Sequence, residues 1–198
     1  MNLNKTTYLG TKQGSKGAVD YWRDEHGTIF SDPLDQSEMV GGGAEEERNE
    51  LENPERLNRL LQLCENPTVL DFGCGHGLFV QYLADNRLQV VGYDKFNPKF
   101  AGLPQPNAFD ICTMVEVVEH MSTPFSEFGL IFQALKPGGK FYIETSFTDW
   151  HDFDSWYIDP KFGHSTVWSH AGLTMMLKSF GFEEGEHFNR NARVYVKP

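Results

Sequence analysis

Between Thr68 and Leu83 the chain reads TVLDFGCGHGLFVQYL. TVLDF has the apolar, β-branched content of a buried strand, and glycines follow at 73, 75 and 77. LFVQYLADN then has the spacing of a helix that lays Leu78, Phe79, Tyr82 and Leu83 on a sheet. In open α/β sheets, ligands bind beyond the carboxyl ends of the strands, so this glycine turn is where a ligand is expected.

The elements around it alternate. Upstream, Asn53 can cap and Pro54 can open a helix with Leu57, Leu60, Leu61 and Cys64 on one stripe. Downstream, LQVVGYD and FDICTMVEV read as strands, the latter apolar enough to be covered on both faces. Thr123 and Pro124 start a helix with Phe125, Phe128, Phe132 and Leu135 inward, which KPGG stops before the strand KFYIETS. Ser169 caps a last helix bearing Leu173, Met176, Leu177 and Phe180, and segments 183–188 and 192–197 suit a hairpin. This order implies an α/β fold with a mostly parallel sheet, helices on both faces and an antiparallel final pair. Residues 1 to about 43, rich in Gly, Asp, Ser and Thr, show no helical period.

Bulk properties narrow the function classes. A chain of 198 residues suits one domain with a full core. A net charge of −11 disfavours a nucleic-acid partner, which needs a basic stripe. No apolar run reaches the roughly 18 residues of a membrane span, and MNLNKTTYLGTKQ lacks a signal-peptide core. The three cysteines, Cys64, Cys74 and Cys112, have no CxxC pairing and suit a reducing, cytoplasmic setting.

Three ligand classes compete for the glycine turn. A P-loop needs Lys and then Ser or Thr after its last glycine, but Leu78 follows Gly77. A dinucleotide turn wants a glycine three positions after the second, and Leu78 stands there too. An acid two residues ahead of Gly-x-Gly-x-Gly remains, formed by Asp71, Gly73, Gly75 and Gly77. This pattern resembles the first motif of class I S-adenosylmethionine-dependent methyltransferases. A carboxylate there tolerates a cationic sulfonium and would repel a pyrophosphate. Asp94, closing VVGYD, can grip both ribose hydroxyls.

The resemblance continues through FDICTMVEVVEHM, LKPGGKFYIETS and HSTVWSHAGLTMMLKSFGFE, in order over about residues 63–182. It implies a Rossmann-like, doubly wound fold over residues 46–198, with an N-terminal extension (1–45) packed on it and an acceptor-covering insertion at 147–168. It further implies that Asp71, Gly73, Cys74, Gly75, Gly77, Asp94, Lys95, Met114, Val115 and Glu116 bind S-adenosyl-L-methionine. Only fifteen residues, three of them proline, separate Asp94 from Asp110. A shortened edge is therefore expected in place of the family's usual helix and strand, with adenine against Phe96 and Met114.

The covering segment holds Phe147, Trp150, Phe153, Trp156, Tyr157, Phe162 and Trp168, which suits an aromatic-walled pocket or a cluster that holds down a loop. His164 and His151 are the candidate bases, with Tyr157 as hydrogen-bonding partner, since imidazole removes protons at neutral pH. His170 and the acids Asp149, Asp152, Asp154 and Asp159 lie in the same stretch. Glu116, Glu119 and His120 would share a face if helical, a spacing that permits a divalent cation, although no resident metal is expected. The expected reaction is methyl transfer to an oxygen or nitrogen of a small polar or aromatic molecule. A non-catalytic cofactor-binding sensor or subunit, and an RNA or protein methyltransferase, remain the alternatives. No motif specifies the acceptor or the oligomeric state.

Overall fold

The computed structural model describes residues 7–14, 16–32, 34, 44–121 and 123–198, of which 44–50 are described by backbone alone. The chain begins with three antiparallel strands, β1 (Thr7–Gly14), β2 (Gly17–Arg23) and β3 (Ile29–Ser31). Helix α1 (Ala44–Leu63) leads into β4 (Thr68–Phe72), α2 (Leu78–Asp85) and β5 (Gln89–Tyr93). Then come β6 (Phe109–Val115), α3 (Pro124–Ala134), β7 (Leu135–Glu144), β8 (Thr166–Val167) and α4 (His170–Ser179). The hairpin strands β9 (Glu183–His187) and β10 (Ala192–Val196) close the chain.

The main sheet has the order β5-β4-β6-β7-β10-β9. Its first four strands are parallel, and β10 runs antiparallel to both β7 and β9. The chain leaves β4 for β5 on one side and returns to β6 on the other, so strand order reverses at the carboxyl end of β4. Side chains alternate between two cores, as a strand's period of two requires. Leu70, Phe72, Cys112, Met114, Phe141 and Ile143 meet Phe128, Ile131, Leu173 and Leu177 of α3 and α4. Val69, Ile111, Tyr142 and Val194 meet Leu60, Leu63, Phe79 and Leu83 of α1 and α2. The doubly wound, Rossmann-like expectation is the observed architecture. No helix of the described residues is long and apolar enough to cross a membrane.

Several local expectations are corrected. Helix α1 starts at Ala44, so Pro54 lies inside it and Asn53 is buried instead of capping, while the expected division at 45/46 falls in its first turn. The run AEEERNELE is built of good helix formers, which outweigh the hydrogen bond that Pro54 removes. Leu61, Leu78 and Phe125 are exposed at their helix edges, and Leu135 already belongs to β7. Strands β1 to β3 lie within the N-terminal extension expected at 1–45. They form a second sheet, β1-β2-β3-β8, joined to the main domain through Thr166 and Val167.

Helix α1 is fixed to the sheet by charge as well as by packing. The guanidinium of Arg56, 2% exposed, donates to Glu144 from Nε at 3.1 Å and from Nη2 at 2.6 Å. Arg59 Nη1 reaches the other oxygen at 3.3 Å, and the Tyr142 hydroxyl donates to it at 2.5 Å. Burial pushes the Glu144 carboxyl up, but these donors outweigh it and hold it below the ordinary glutamate range. Arg56→Ala is expected to lower unfolding free energy by about 3 kcal/mol, because it strands buried charge. Chemical denaturation measures this, and a loss below about 1 kcal/mol would contradict the assigned role.

Candidate functional site

The turn after β4 is built from left-handed backbone at Gly73 (φ 81°), Gly75 (φ 53°) and Gly77 (φ 83°). The three glycines serve different purposes. A β-carbon on Gly73 would come within 2.6 Å of Val117, and one on Gly77 within 2.5 Å of the Phe100 ring. At Gly75 a β-carbon would meet nothing within 4 Å, so this peptide faces the open cleft. Gly73 and Gly77 close the turn by packing, whereas the α-carbon of Gly75 faces open space.

The loop after β5 locks onto that open peptide. Gly75 N–H donates to Asp94 Oδ2 at 3.0 Å, and Asn97 Nδ2 donates to the Gly75 carbonyl at 2.7 Å. Asp94 Oδ1 accepts from the N–H groups of Phe96 at 2.8 Å and Asn97 at 3.1 Å. Residues 95–108 contain turns and no helix or strand, as their prolines imply. Phe100 from this loop packs over Gly77 and Gly92, and the Cys74 sulfur lies against Gly92. Lys95 pairs with Glu127 at 2.6 Å and lies 4.9 Å above the ring of Phe96, which is 38% exposed.

Other expected cofactor residues are placed less directly. Asp71 is buried and accepts from Thr113 Oγ1 at 2.8 Å. Burial raises its carboxyl to about 6, with Asp94 adding to the rise and Thr113 and Arg56 opposing it. Asp71 therefore sits beneath the turn with its carboxyl held by Thr113. Met114 is fully buried in the core and presents no surface to adenine, because β6 turns this side chain under α3. Val115 is half-buried on the opposite face. Glu116, directly after β6, is left-handed (φ 51°), its N–H held by the Glu144 carbonyl at 2.8 Å. Such strained non-glycine backbone clusters at functional sites.

A second polar cluster stands at the ends of β6 and β7. Glu119, 1% exposed, accepts from the Tyr157 hydroxyl at 2.8 Å and from Thr145 Oγ1 at 3.0 Å. Burial pushes its carboxyl up, while these bonds and one from Glu116 oppose the shift. His151 Nε2 lies 2.6 Å from Ser146 Oγ and its Nδ1 lies 2.9 Å from Ser155 Oγ, with the ring stacked on Tyr157. His164 is 6% exposed, its Nδ1 bonded to the Tyr157 carbonyl at 2.6 Å and its ring against His120. Burial, and then His120, lower His164 to about 4. His164, the first candidate base, is thus enclosed and held neutral. Its ring is enclosed, and His151 is the imidazole with partial access.

Val118–His120 is a 3₁₀ turn, so the helical face expected for Glu116, Glu119 and His120 does not exist. Instead Glu119, His120 and His164 bring ligand-type atoms within 4.8 Å of one another, a donor set that could hold a divalent cation. The aromatic segment splits between its two expected roles. Phe147 and Trp168 are core, Tyr157 packs on the N-terminal sheet, and Trp150, Trp156 and Phe162 are exposed. Sequence reasoning missed Ser146, Ser155, Val117 and Phe100. Only Phe100, an aromatic in a proline-rich loop, carried a local signal.

Comparison with known proteins shows the family. Residues 45–186 match the model of a methyltransferase domain family, and the chain belongs to that family. S-adenosyl-L-methionine is the cofactor that this family and fold imply. The chain is 33% identical to the ubiquinone biosynthesis O-methyltransferase of Idiomarina loihiensis over 100 residues, covering 39% of this chain and 41% of that protein. It is 28% identical to the tRNA U34 carboxymethyltransferase of Pseudoalteromonas atlantica over 156 residues, covering 65% of this chain and 48% of that protein. It thus spans less than half the length of either relative. A chain from the complex of the Haloferax volcanii Trm112 methyltransferase activator shares the fold, with TM-score 0.62, 15% identity and coverage of 83% and 98%.

Two outcomes follow from this site. Asp94→Ala is expected to weaken S-adenosylhomocysteine binding by about 2–4 kcal/mol, as charge-assisted bonds to ribose and loop are lost. Titration calorimetry reads this, and unchanged affinity would show the ribose is held elsewhere. His164, neutral when folded, has a folded-state pKa below its unfolded value near 6.5. The unfolded chain therefore binds the extra proton between about 6.5 and 4, and stability falls as pH drops through that window, by at most ~3 kcal/mol. His164→Asn should flatten that slope in pH-dependent denaturation; an unaltered slope would assign it to another group.

Proposed function

We propose that this chain transfers the sulfonium methyl of S-adenosyl-L-methionine to an oxygen or nitrogen of a small polar or aromatic acceptor by in-line displacement. The bound cofactor supplies the activated methyl, so the protein has to align an acceptor and take its proton. The observation that carries this reading is the Ser146–His151 hydrogen bond of 2.6 Å. Because β4, β6 and β7 are parallel neighbours, their carboxyl ends place the glycine turn, Glu116 and Ser146 along one edge of the sheet.

In the proposed arrangement Ser155 accepts from His151 Nδ1–H, which leaves Nε2 to accept from the Ser146 hydroxyl. An acceptor hydroxyl donating to Ser146 Oγ then passes its proton through Ser146 to His151. Burial, Arg190 and His164 lower the His151 pKa, which keeps its neutral, proton-accepting form at neutral pH. Exposed Trp150, Trp156 and Phe162 offer apolar walls for a small acceptor. A sensor or partner subunit would have no use for such a relay. A polynucleotide acceptor is opposed by the net charge of −11.

The test is a screen of phenols, catechols and amines for consumption of the methyl donor. With an accepted substrate, His151→Ala should lower kcat by roughly 10²–10⁴ and leave cofactor affinity unchanged. Full turnover in that variant would remove His151 from the chemistry, and no consumption with any acceptor class would remove the small-molecule reading.

A further inference from the structure

The turn between β9 and β10 stands beside the end of β7. Ala192 pairs with Glu144 in the antiparallel register of β10 and β7, and the Asn191 carbonyl accepts from Thr145 N–H at 3.1 Å. One step further along that register sets Arg190 opposite Ser146. The turn is held from inside, where Asn189 Oδ1 accepts from the N–H groups of Asn191 and Ala192, each at 2.8 Å. Two arginines of this region differ. Arg193 is committed: it donates to the Asn189 carbonyl, and to His170 Nε2 at 2.8 Å, while lying over the Phe147 ring. Arg190 is exposed, and its guanidinium makes no hydrogen bond or ion pair among the described residues. Its charge still reaches the Ser146–His151 pair, since of the charged groups that lower His151 it comes before His164. A cation that weakens a proton acceptor and has no acid to pair with leaves room for an anion from outside the chain.

We propose that Arg190 docks a carboxylate of the molecule bound at Ser146, which makes the methyl acceptor a small acid. The inference rests on the methyl-transfer reading above for calling that molecule the acceptor. A guanidinium meets a carboxylate with two parallel N–H bonds, so it fixes orientation as well as position. Exposure keeps Arg190 within reach of a ligand, and Ser146 and His151 are each only partly buried. Charge is divided along this edge of the sheet. Asp71, Asp94, Glu116 and Glu119 lie toward the ends of β4 to β6, and Arg190 lies past the end of β7. A cationic methyl donor and an anionic acceptor are thereby drawn to opposite ends of one cleft. Pairing also acts on the base. A carboxylate that neutralises Arg190 removes the field that lowers His151, so the imidazole gains basicity when an acid is in place. Arg190 is thus a specificity-determining residue for the acceptor.

The test titrates 4-hydroxyphenylacetate and its neutral amide, 4-hydroxyphenylacetamide, into the chain in the presence of S-adenosylhomocysteine. Calorimetry should show the acid bound roughly 10- to 100-fold more tightly, the range a hydrogen bond to a charged group spans. Arg190→Gln should abolish that preference and leave the amide's affinity unchanged. Arg190→Lys, which keeps the charge without the planar fork, should retain part of it. In the ligand-free protein, the His151 titration followed by NMR of its ring protons should move upward in Arg190→Gln. Equal binding of acid and amide by the wild type, binding of neither, a preference that survives Arg190→Gln, or an unmoved His151 titration overturns the role of Arg190. A preference that depends on Arg190, with no methylation of the acid when S-adenosyl-L-methionine is supplied, upholds the carboxylate site and overturns the methyl-transfer reading instead.

Discussion

The backbone conformation of residues 73–77 constrains everything around it. Left-handed torsions at three glycines bring the chain so close to Val117 and Phe100 that no side chain fits at Gly73 or Gly77 without moving the end of β6 or the loop after β5. That contact couples the carboxyl ends of three adjacent strands. Between the two packed glycines, Gly75 keeps both its polar groups directed at the neighbouring loop, its N–H to Asp94 and its carbonyl to Asn97. An ionised carboxylate accepts at about four lone-pair sites, and backbone donors occupy three of them at Asp94. The Asp94 carboxylate is thus largely committed to ordering this turn.

Electrostatics support the same ligand class. Asp71, Asp94, Glu116 and Glu119 gather at the carboxyl ends of β4 to β6, with Arg56 as the nearby cation acting on Asp71. Burial already raises Asp71, and Asp94 raises it further. Anionic phosphate in this cleft would add to the repulsion, whereas a sulfonium and an ammonium relieve it. The acids beside the turn thus act together as a selector of charge, which the Gly-x-Gly-x-Gly spacing alone would not be.

What could be read from the sequence was what local chemistry dictates. The strand–turn–helix at 68–83, the Ser169 cap and the final hairpin follow from periodicity, capping and turn residues within a short window. The N-terminal sheet did not announce itself, because β3 is three residues long and its partner β8 two, separated by more than a hundred positions. Pro54 misled because a strong helix-forming run precedes it. At the candidate site, the glycine turn was legible and the surroundings of the two histidines were not. His164 and His151 look alike in sequence, and their difference in burial is set by contacts with Tyr157, His120 and Ser146 from other elements.

Tyr157 shows how those distant contacts are organised. Its ring packs with Tyr21, Ile29 and Val167 of the N-terminal sheet, while its hydroxyl donates to Glu119 and its carbonyl holds His164. The ring also forms the platform on which His151 stacks at 4.9 Å. A displacement of the N-terminal sheet would therefore move the imidazoles and the buried glutamate together, because one side chain touches all of them. The glycine turn is built by local backbone geometry and the polar cluster around Tyr157 by a long-range core, which explains why one is conveyed by a motif and the other by packing.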